Sequence, residues 1–145
     1  MTVISTQPPQ LSDSEVQEII QNIYGIEASV LTLDSERDQN FHLKGDDGNE
    51  YVLKISNPKE DLDLIKLQSA SLKHIHAFDQ SLNVPVPIES IEGKIVNHVD
   101  GNIVRVQSFI KGIFIKDVEN PSLQLLNEFG EYFGKLDIAF KAFDY

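Results

Sequence analysis

The hydrophobic period of the chain switches between helical and strand spacing along its length, and that alternation limits the folds open to it. Val16, Ile19, Ile20, Ile23 and Tyr24 recur at helical spacing. They follow Ser12-Asp13-Ser14-Glu15, a match to a capping box in which hydroxyl and carboxylate satisfy orphan amides reciprocally. Gly25 can close this helix, about residues 13–24, in a left-handed cap. From Ile26 the period is two. Strands are expected over Ile26–Leu33, Asn40–Lys44 and Tyr51–Ile55, with turn chemistry at Asp46-Asp47-Gly48. Asn57-Pro58 reads as a cap followed by a first-turn proline, opening a second helix to about Ala77 with Leu64, Ile65, Leu72 and Ile75 inward. Three more strands follow, Ile88–Ile91, Lys94–Val99 and Ile103–Ile110, joined by Glu92-Gly93 and Asp100-Gly101-Asn102 and so expected as antiparallel neighbours. Val84-Pro85-Val86-Pro87 ahead of them is extended and belongs at an edge. Asn120-Pro121 opens a last helix. The order α, three β, α, three β, α predicts an α+β domain with an antiparallel sheet of five to six strands.

Composition removes several classes of function. The 145 residues fit one domain, and 41% hydrophobic content against 24% charged suffices for a core. Twelve Lys and Arg face 23 Asp and Glu, a net charge of −11, so phosphate backbones are repelled and nucleic acid is not expected as a partner. No apolar run approaches the roughly 20 residues of a membrane span. There is no cysteine, hence no disulfide or thiolate metal site. With no basic-then-apolar leader at the start, a cytoplasmic location is expected. The four histidines lack zinc spacing, and Glu60-Asp61-Leu62-Asp63 and Asp46-Asp47 lack the ligand order of a calcium loop.

Chemistry is suggested by Tyr51-Val52-Leu53-Lys54-Ile55. Alternate side chains of a strand share a face, so Lys54 lies beside Val52 and opposite Tyr51, Leu53 and Ile55. An unpaired buried ammonium costs several kcal/mol, on the order of a lost charge pair. Either Lys54 points to solvent from a one-sided sheet, or it lines a cleft and meets an anion. The polar segment Ser35–Gln39 between the first two strands lies near it in a meander, where amides and small polar side chains can close on phosphates.

These two blocks, Ser35-Glu36-Arg37-Asp38-Gln39-Asn40-Phe41 and Tyr51 to Pro58, resemble the start of the aminoglycoside phosphotransferase-like kinases. The similarity is greatest to the branch of hydroxylysine kinase and of phosphotransferase domains fused to class III aminotransferases. It runs over roughly residues 12 to 145 and includes Val84 to Pro87, the strand Val104–Ile110 with Lys111-Gly112, and the helix Leu125–Phe143. The resemblance implies a protein-kinase-like small lobe, with the second helix packed by its sheet and a helix at each end. It implies that Lys54 holds the α- and β-phosphates of ATP or GTP with Mg, under a loop whose Ser35, Arg37 and Asn40 cover them. Val52, with Ile26 or Leu33, would cover the base, and Ser108, Phe109 and Ile110 match the hinge that reads its edge. Gln68 stands where most relatives carry the Glu that pairs with the strand Lys, and the covering loop has no glycine.

The resemblance also implies a division into a leader (residues 1–11), a lobe (12–111), and a hinge exit with the first helix of a truncated second lobe (112–145). The base Asp and metal-holding Asn and Asp of kinase chemistry are not found: His98-Val99-Asp100 has no distal Asn, and His74 and His76 precede no suitable Asp. The chain is therefore expected to bind nucleotide without transferring phosphate by itself. A small-molecule alcohol acceptor would need the missing lobe, and pyridoxal phosphate would belong to a fused domain outside this chain. Phe129, Phe133, Phe140, Phe143 and Tyr145 load the last helix with aromatic surface. Left uncovered, that surface would let copies associate or would serve a complete non-catalytic module in binding a protein partner.

Overall fold

The computed structural model describes residues 9–145. The expected leader over residues 1–11 thus falls largely outside the described residues. The first helix, α1 (Asp13–Ile19), continues as a π-helical turn over Ile20–Tyr24 and ends on Gly25, whose φ of 66° is the left-handed cap. Its capping box is formed: Glu15 Oε2 accepts from the Ser12 amide at 2.7 Å, and Ser12 Oγ accepts from the Glu15 amide at 3.4 Å.

Six strands follow in one antiparallel sheet: β1 (Ala28–Leu33), β2 (Gln39–Gly45), β3 (Glu50–Ser56), β4 (Pro87–Ile88), β5 (Asn97–Val99) and β6 (Asn102–Ser108). Their order is β1-β2-β3-β6-β4, with β5 also pairing β6. The expected strands Ile88–Ile91 and Lys94–Val99 do not pair with each other. They shorten to β4 and β5, which occupy successive stretches of the same β6 edge, β4 opposite Gln107 and Val106 and β5 opposite Val104 to Asn102. Between them Glu92-Gly93 forms a turn closed by the Gly93 amide on the Ser90 carbonyl. Asp100-Gly101, with φ of 49° and 82°, makes the two-residue hairpin into β6.

Register assigns the two faces of the sheet. Phe41, Leu43, Leu53, Ile55, Val104 and Val106 share one face and are buried against Val16, Ile19, Ile20 and Tyr24. Each such side chain contributes roughly 1.5–3 kcal/mol of burial. This core is covered by α1 and its π-helical turn, and the opposite face is left polar.

Two helix starts differ from expectation. α2 runs Leu62–Phe78 with Asp61, not Asn57, as its cap, accepting from the amides of Asp63 and Leu64. Asn57 instead makes a tight turn, its side-chain oxygen accepting from the Lys59 amide and its carbonyl from the Glu60 amide. Local Asx geometry competes successfully with helix initiation there. The buried stripe of α2 then passes through Ile65, Ser69 and Ile75, with Leu64 exposed and Gln68 on the exposed side. Ser69 can be buried because its hydroxyl donates to the Ile65 carbonyl at 3.1 Å. Likewise α3 (Leu123–Lys141) is capped by Ser122, while Asn120 has a positive φ of 60°.

α2 and α3 pack together beyond the β4 edge. Ile75, Leu82, Val84 and Ala139 form a second core, backed by Leu72, Tyr132 and Leu136. His74 Nε2 lies 2.9 Å from the Ala139 carbonyl. Phe129, Phe133 and Phe140 face away, half exposed.

Candidate functional site

The polar face of the sheet is built in rows. Leu33 pairs with Asn40, Asn40 with Lys54, and Lys54 with Arg105, so one row crosses β1, β2, β3 and β6. The next row is Leu31, His42, Val52 and Gln107. Lys54 therefore lies inward on this face beside a second cation. Directly opposed like charges destabilise a strand pair by roughly 0.2–1 kcal/mol, so this row calls for an anion.

The segment between β1 and β2 lies against the row and borders an open cleft of about 270 Å³. Ser35, Arg37, Asn40 and Lys54 line it together, joined by Glu36, Asp38 and Glu60. Asp38 Oδ1 accepts from the Asn57 amide at 3.1 Å, fastening this loop to the turn ahead of α2. Burial, then the charge of Arg105, push the Lys54 amine below the ordinary lysine value, and Asp38 pulls it back up. Burial likewise lowers Arg105, opposed by Asp38 and Glu60. Among the described residues, Asn40 Oδ1 and Arg105 Nε are buried without a hydrogen-bond partner. Larger hollows exist: the one beside α1 is lined by Gln17, Glu27, Ser29 and Asp46 and carries no cation, and the one beside α2 holds Lys66, Lys73 and Lys94, each already ion-paired, to Asp63, Glu89 and Glu92.

Gln68 is not brought to this site. The carboxylates that face the two cations are Asp38 on the loop and Glu60 in the turn, neither of them from the body of α2. Ile26 lies outside β1 and packs on the core, away from the polar face. Leu33 heads the Asn40–Lys54 row, and Val52 shares its row with Leu31 and His42. His42 is buried, stacked on Phe109 with ring centroids 4.0 Å apart. Its Nε2 lies 2.7 Å from Glu50 Oε2, while Glu50 Oε1 meets Lys111 Nζ at 2.6 Å.

At the β6 exit, the Ser108 amide donates to the Val86 carbonyl and its hydroxyl accepts from the Val86 amide, both at 2.8 Å. The Phe109 amide donates to the Glu50 carbonyl. Two of the three expected hinge amides, those of Ser108 and Phe109, are thus already engaged.

Residues 29–145 match the model of the phosphotransferase enzyme family. The chain belongs to that family. It is 29% identical over 140 residues to the hydroxylysine kinase of Danio rerio, covering 89% of this chain and 39% of the relative. An amicoumacin kinase solved with AMP-PNP, Ca²⁺ and its substrate superposes with a TM-score of 0.74 at 19% identity, over 93% of this chain and 42% of that one. A spectinomycin phosphotransferase solved with ADP and spectinomycin gives 0.64 at 13%, over 88% and 38%. These likenesses show the kinase-like α+β fold, and the chain spans about two fifths of the length of each of these proteins.

Some residues at this site gave no sign in the sequence. Arg105 stands beside the cleft through the β3–β6 register, opposite Lys54, and Leu31, His42 and Gln107 form the row with Val52. Asp38, in the covering segment, and Glu60, a candidate carboxylate partner of Lys54, were by contrast within reach of the sequence. An alternation count on β3 extended to β6 would have placed Arg105 and Gln107 on one face, though not opposite Lys54. Lys54 with Arg105 beside it, and an amide side chain with unused capacity, suit a polyphosphate, while Glu36, Asp38 and Glu60 line the same cleft and oppose one. They do not gather for a metal, since no group of three or more His, Asp or Glu is so placed among the described residues. None of the described helices is long and apolar enough to cross a membrane.

Proposed function

We propose that this chain is the nucleotide-binding lobe of a small-molecule kinase that phosphorylates an alcohol group. The observation that carries the proposal is Lys54, turned inward into a cavity it shares with Ser35, Arg37 and Asn40 of the covering segment. An ammonium there neutralises the α- and β-phosphates of ATP or GTP, and the loop side chains donate to their oxygens in place of glycine backbone. Val52 and Leu31 offer apolar contact to the base, and the Ile110 backbone reads its edge. When bound with the nucleotide, Mg²⁺ would neutralise further phosphate charge, and its ligands would come from residues beyond these.

Transfer itself needs a base for the acceptor hydroxyl and a metal-holding set. The described residues supply neither, and the chain covers about two fifths of the kinases it resembles. The acceptor site and the transfer step therefore belong to a second lobe, whose natural seat includes the half-exposed Phe129, Phe133 and Phe140 of α3.

A titration of the chain with a fluorescent ATP analogue tests the proposal. Saturable binding competed by ATP, and lost in Lys54→Ala with the fold intact by circular dichroism, is the expected result. Equal binding by wild type and Lys54→Ala would refute it.

A further inference from the structure

We infer that Arg105 is a second phosphate-binding cation, which with Lys54 takes two adjacent phosphates of one ligand, and that Asp38 is the carboxylate this ligand displaces. The inference rests on the nucleotide reading only for the identity of the anion.

Arg105 and Lys54 are direct cross-strand partners on the polar face, with Asn40 next in the same row. Two cations held side by side on a rigid sheet match a ligand that carries at least two neighbouring negative groups, so a diphosphate fits and an isolated phosphate does not use both. The guanidinium is also incompletely satisfied: Arg105 Nε is buried with no hydrogen-bond partner, and so is Asn40 Oδ1. No ion pair within 4.0 Å is made by either cation among the described residues. Their charges are balanced at longer range, Asp38 acting on both and Glu60 on Arg105. Asp38 is itself part of the covering segment and lines the cavity. The loop thus brings its own negative charge to the place where phosphate would sit. In a chain of net charge −11, a polyanion must be drawn by local cations, and these two, unlike the ion-paired Lys66, Lys73 and Lys94, have no carboxylate within 4.0 Å among the described residues.

Arg suits this position better than Lys. Its planar fork offers parallel donors to phosphate oxygens, and its charge persists despite burial. Asp38 is anchored through the Asn57 amide, so replacement by Asn keeps an acceptor for that bond while removing the charge.

Isothermal titration of the whole chain with inorganic pyrophosphate, orthophosphate and ADP separates the alternatives. Arg105→Gln should weaken pyrophosphate by about ten- to a hundredfold, the loss of charge-assisted hydrogen bonds, and orthophosphate by much less. Arg105→Lys should recover part of the loss. Asp38→Asn, a loop change that leaves the sheet untouched, should tighten pyrophosphate by about two- to fivefold, the scale of a partly screened charge pair. Unchanged pyrophosphate affinity in Arg105→Gln, or weaker binding in Asp38→Asn, overturns the inference. ADP bound through Lys54 but indifferent to Arg105 would leave the nucleotide reading standing without it. Pyrophosphate following the expected pattern, with ADP no tighter than pyrophosphate, would keep the inference and remove the nucleotide reading.

Discussion

Replacing Lys54 by Met should make the ligand-free chain more stable while removing nucleotide binding. Met keeps the unbranched stem that packs beside Val52 and removes the ammonium that faces Arg105 across the ladder. Directly opposed like charges cost roughly 0.2–1 kcal/mol in a strand pair. The partial desolvation of the amine adds to this, and solvent screening and the attraction of Asp38 subtract from it. The net gain expected is about 1 kcal/mol, a rise of about 2–4 °C in Tm for a domain of this size. Because burial and Arg105 hold the folded-state pKa of Lys54 below its unfolded value, the unfolded chain binds the extra proton in the alkaline range just under the ordinary lysine pKa. The stability of the wild type should therefore rise with pH across that window relative to the variant, and the gap between them should close. Calorimetry at low and high salt, over neutral to alkaline pH, reads both effects, and high salt should shrink the difference. A variant that melts below wild type at neutral pH would refute the assignment of Lys54 to a cation pair awaiting an anion.

Other outcomes follow from the same contacts. Tyr24, buried in the core and accepting from Asn97 Nδ2 at 3.1 Å, has its hydroxyl pushed up to about 12, chiefly by burial. Its contribution is whole below pH 10 and declines between there and pH 12, by about 2–3 kcal/mol, as the unfolded tyrosine ionises first; Tyr24→Phe should flatten that stretch of the stability curve, and an unchanged slope would contradict it. Ser12→Ala, which breaks the capping box, should cost about 1 kcal/mol in urea unfolding. Glu50 is held below the usual carboxylate range by Lys111 and then His42, so its stabilising contacts persist above the ordinary glutamate value and are lost as pH falls through the depressed one. Lys111→Met should move the Glu50 carboxyl midpoint upward in a carbon NMR titration, and an unmoved midpoint would show that the hinge exit is not tied to β3 through this pair.

What the sequence revealed was local or periodic. The capping box at Ser12 and Glu15 and the left-handed stop at Gly25 involve neighbours, and both formed where expected. Alternation in Tyr51–Ile55 put Lys54 on the face opposite Leu53 and Ile55, and those two are fully buried while Lys54 is not. Failure came where two local signals competed or where a partner was distant. Asn57-Pro58 carries the marks of a helix start, yet Asn57 makes an Asx turn and Asp61 caps the helix four residues later. The resemblance sets Gln68 in the place of the Lys-pairing Glu, but Gln68 is exposed and the buried stripe runs through Ser69, a residue whose hydroxyl bonds back to the helix and so hides from a hydrophobic count. Alternation could give Arg105 a face but not a partner, since an arginine in a strand reads as a solvent residue until the β3–β6 register sets it against Lys54. Ser108 ends β6 and Phe109 follows it, and only their hydrogen bonds to Val86 and Glu50 reveal that their amides are occupied.

On this reading a nucleotide lands on the inward row of β2, β3 and β6, under the loop before β2. Amide NMR of the isotopically labelled chain during addition of ADP addresses it residue by residue. Saturable shifts concentrated at Ser35 to Asn40, Lys54, Arg105 and Ile110 are expected, with the α1 side of the sheet undisturbed. Shifts confined to the α1 hollow or to the α2–α3 pair, with Lys54 and Arg105 silent at saturation, would contradict it.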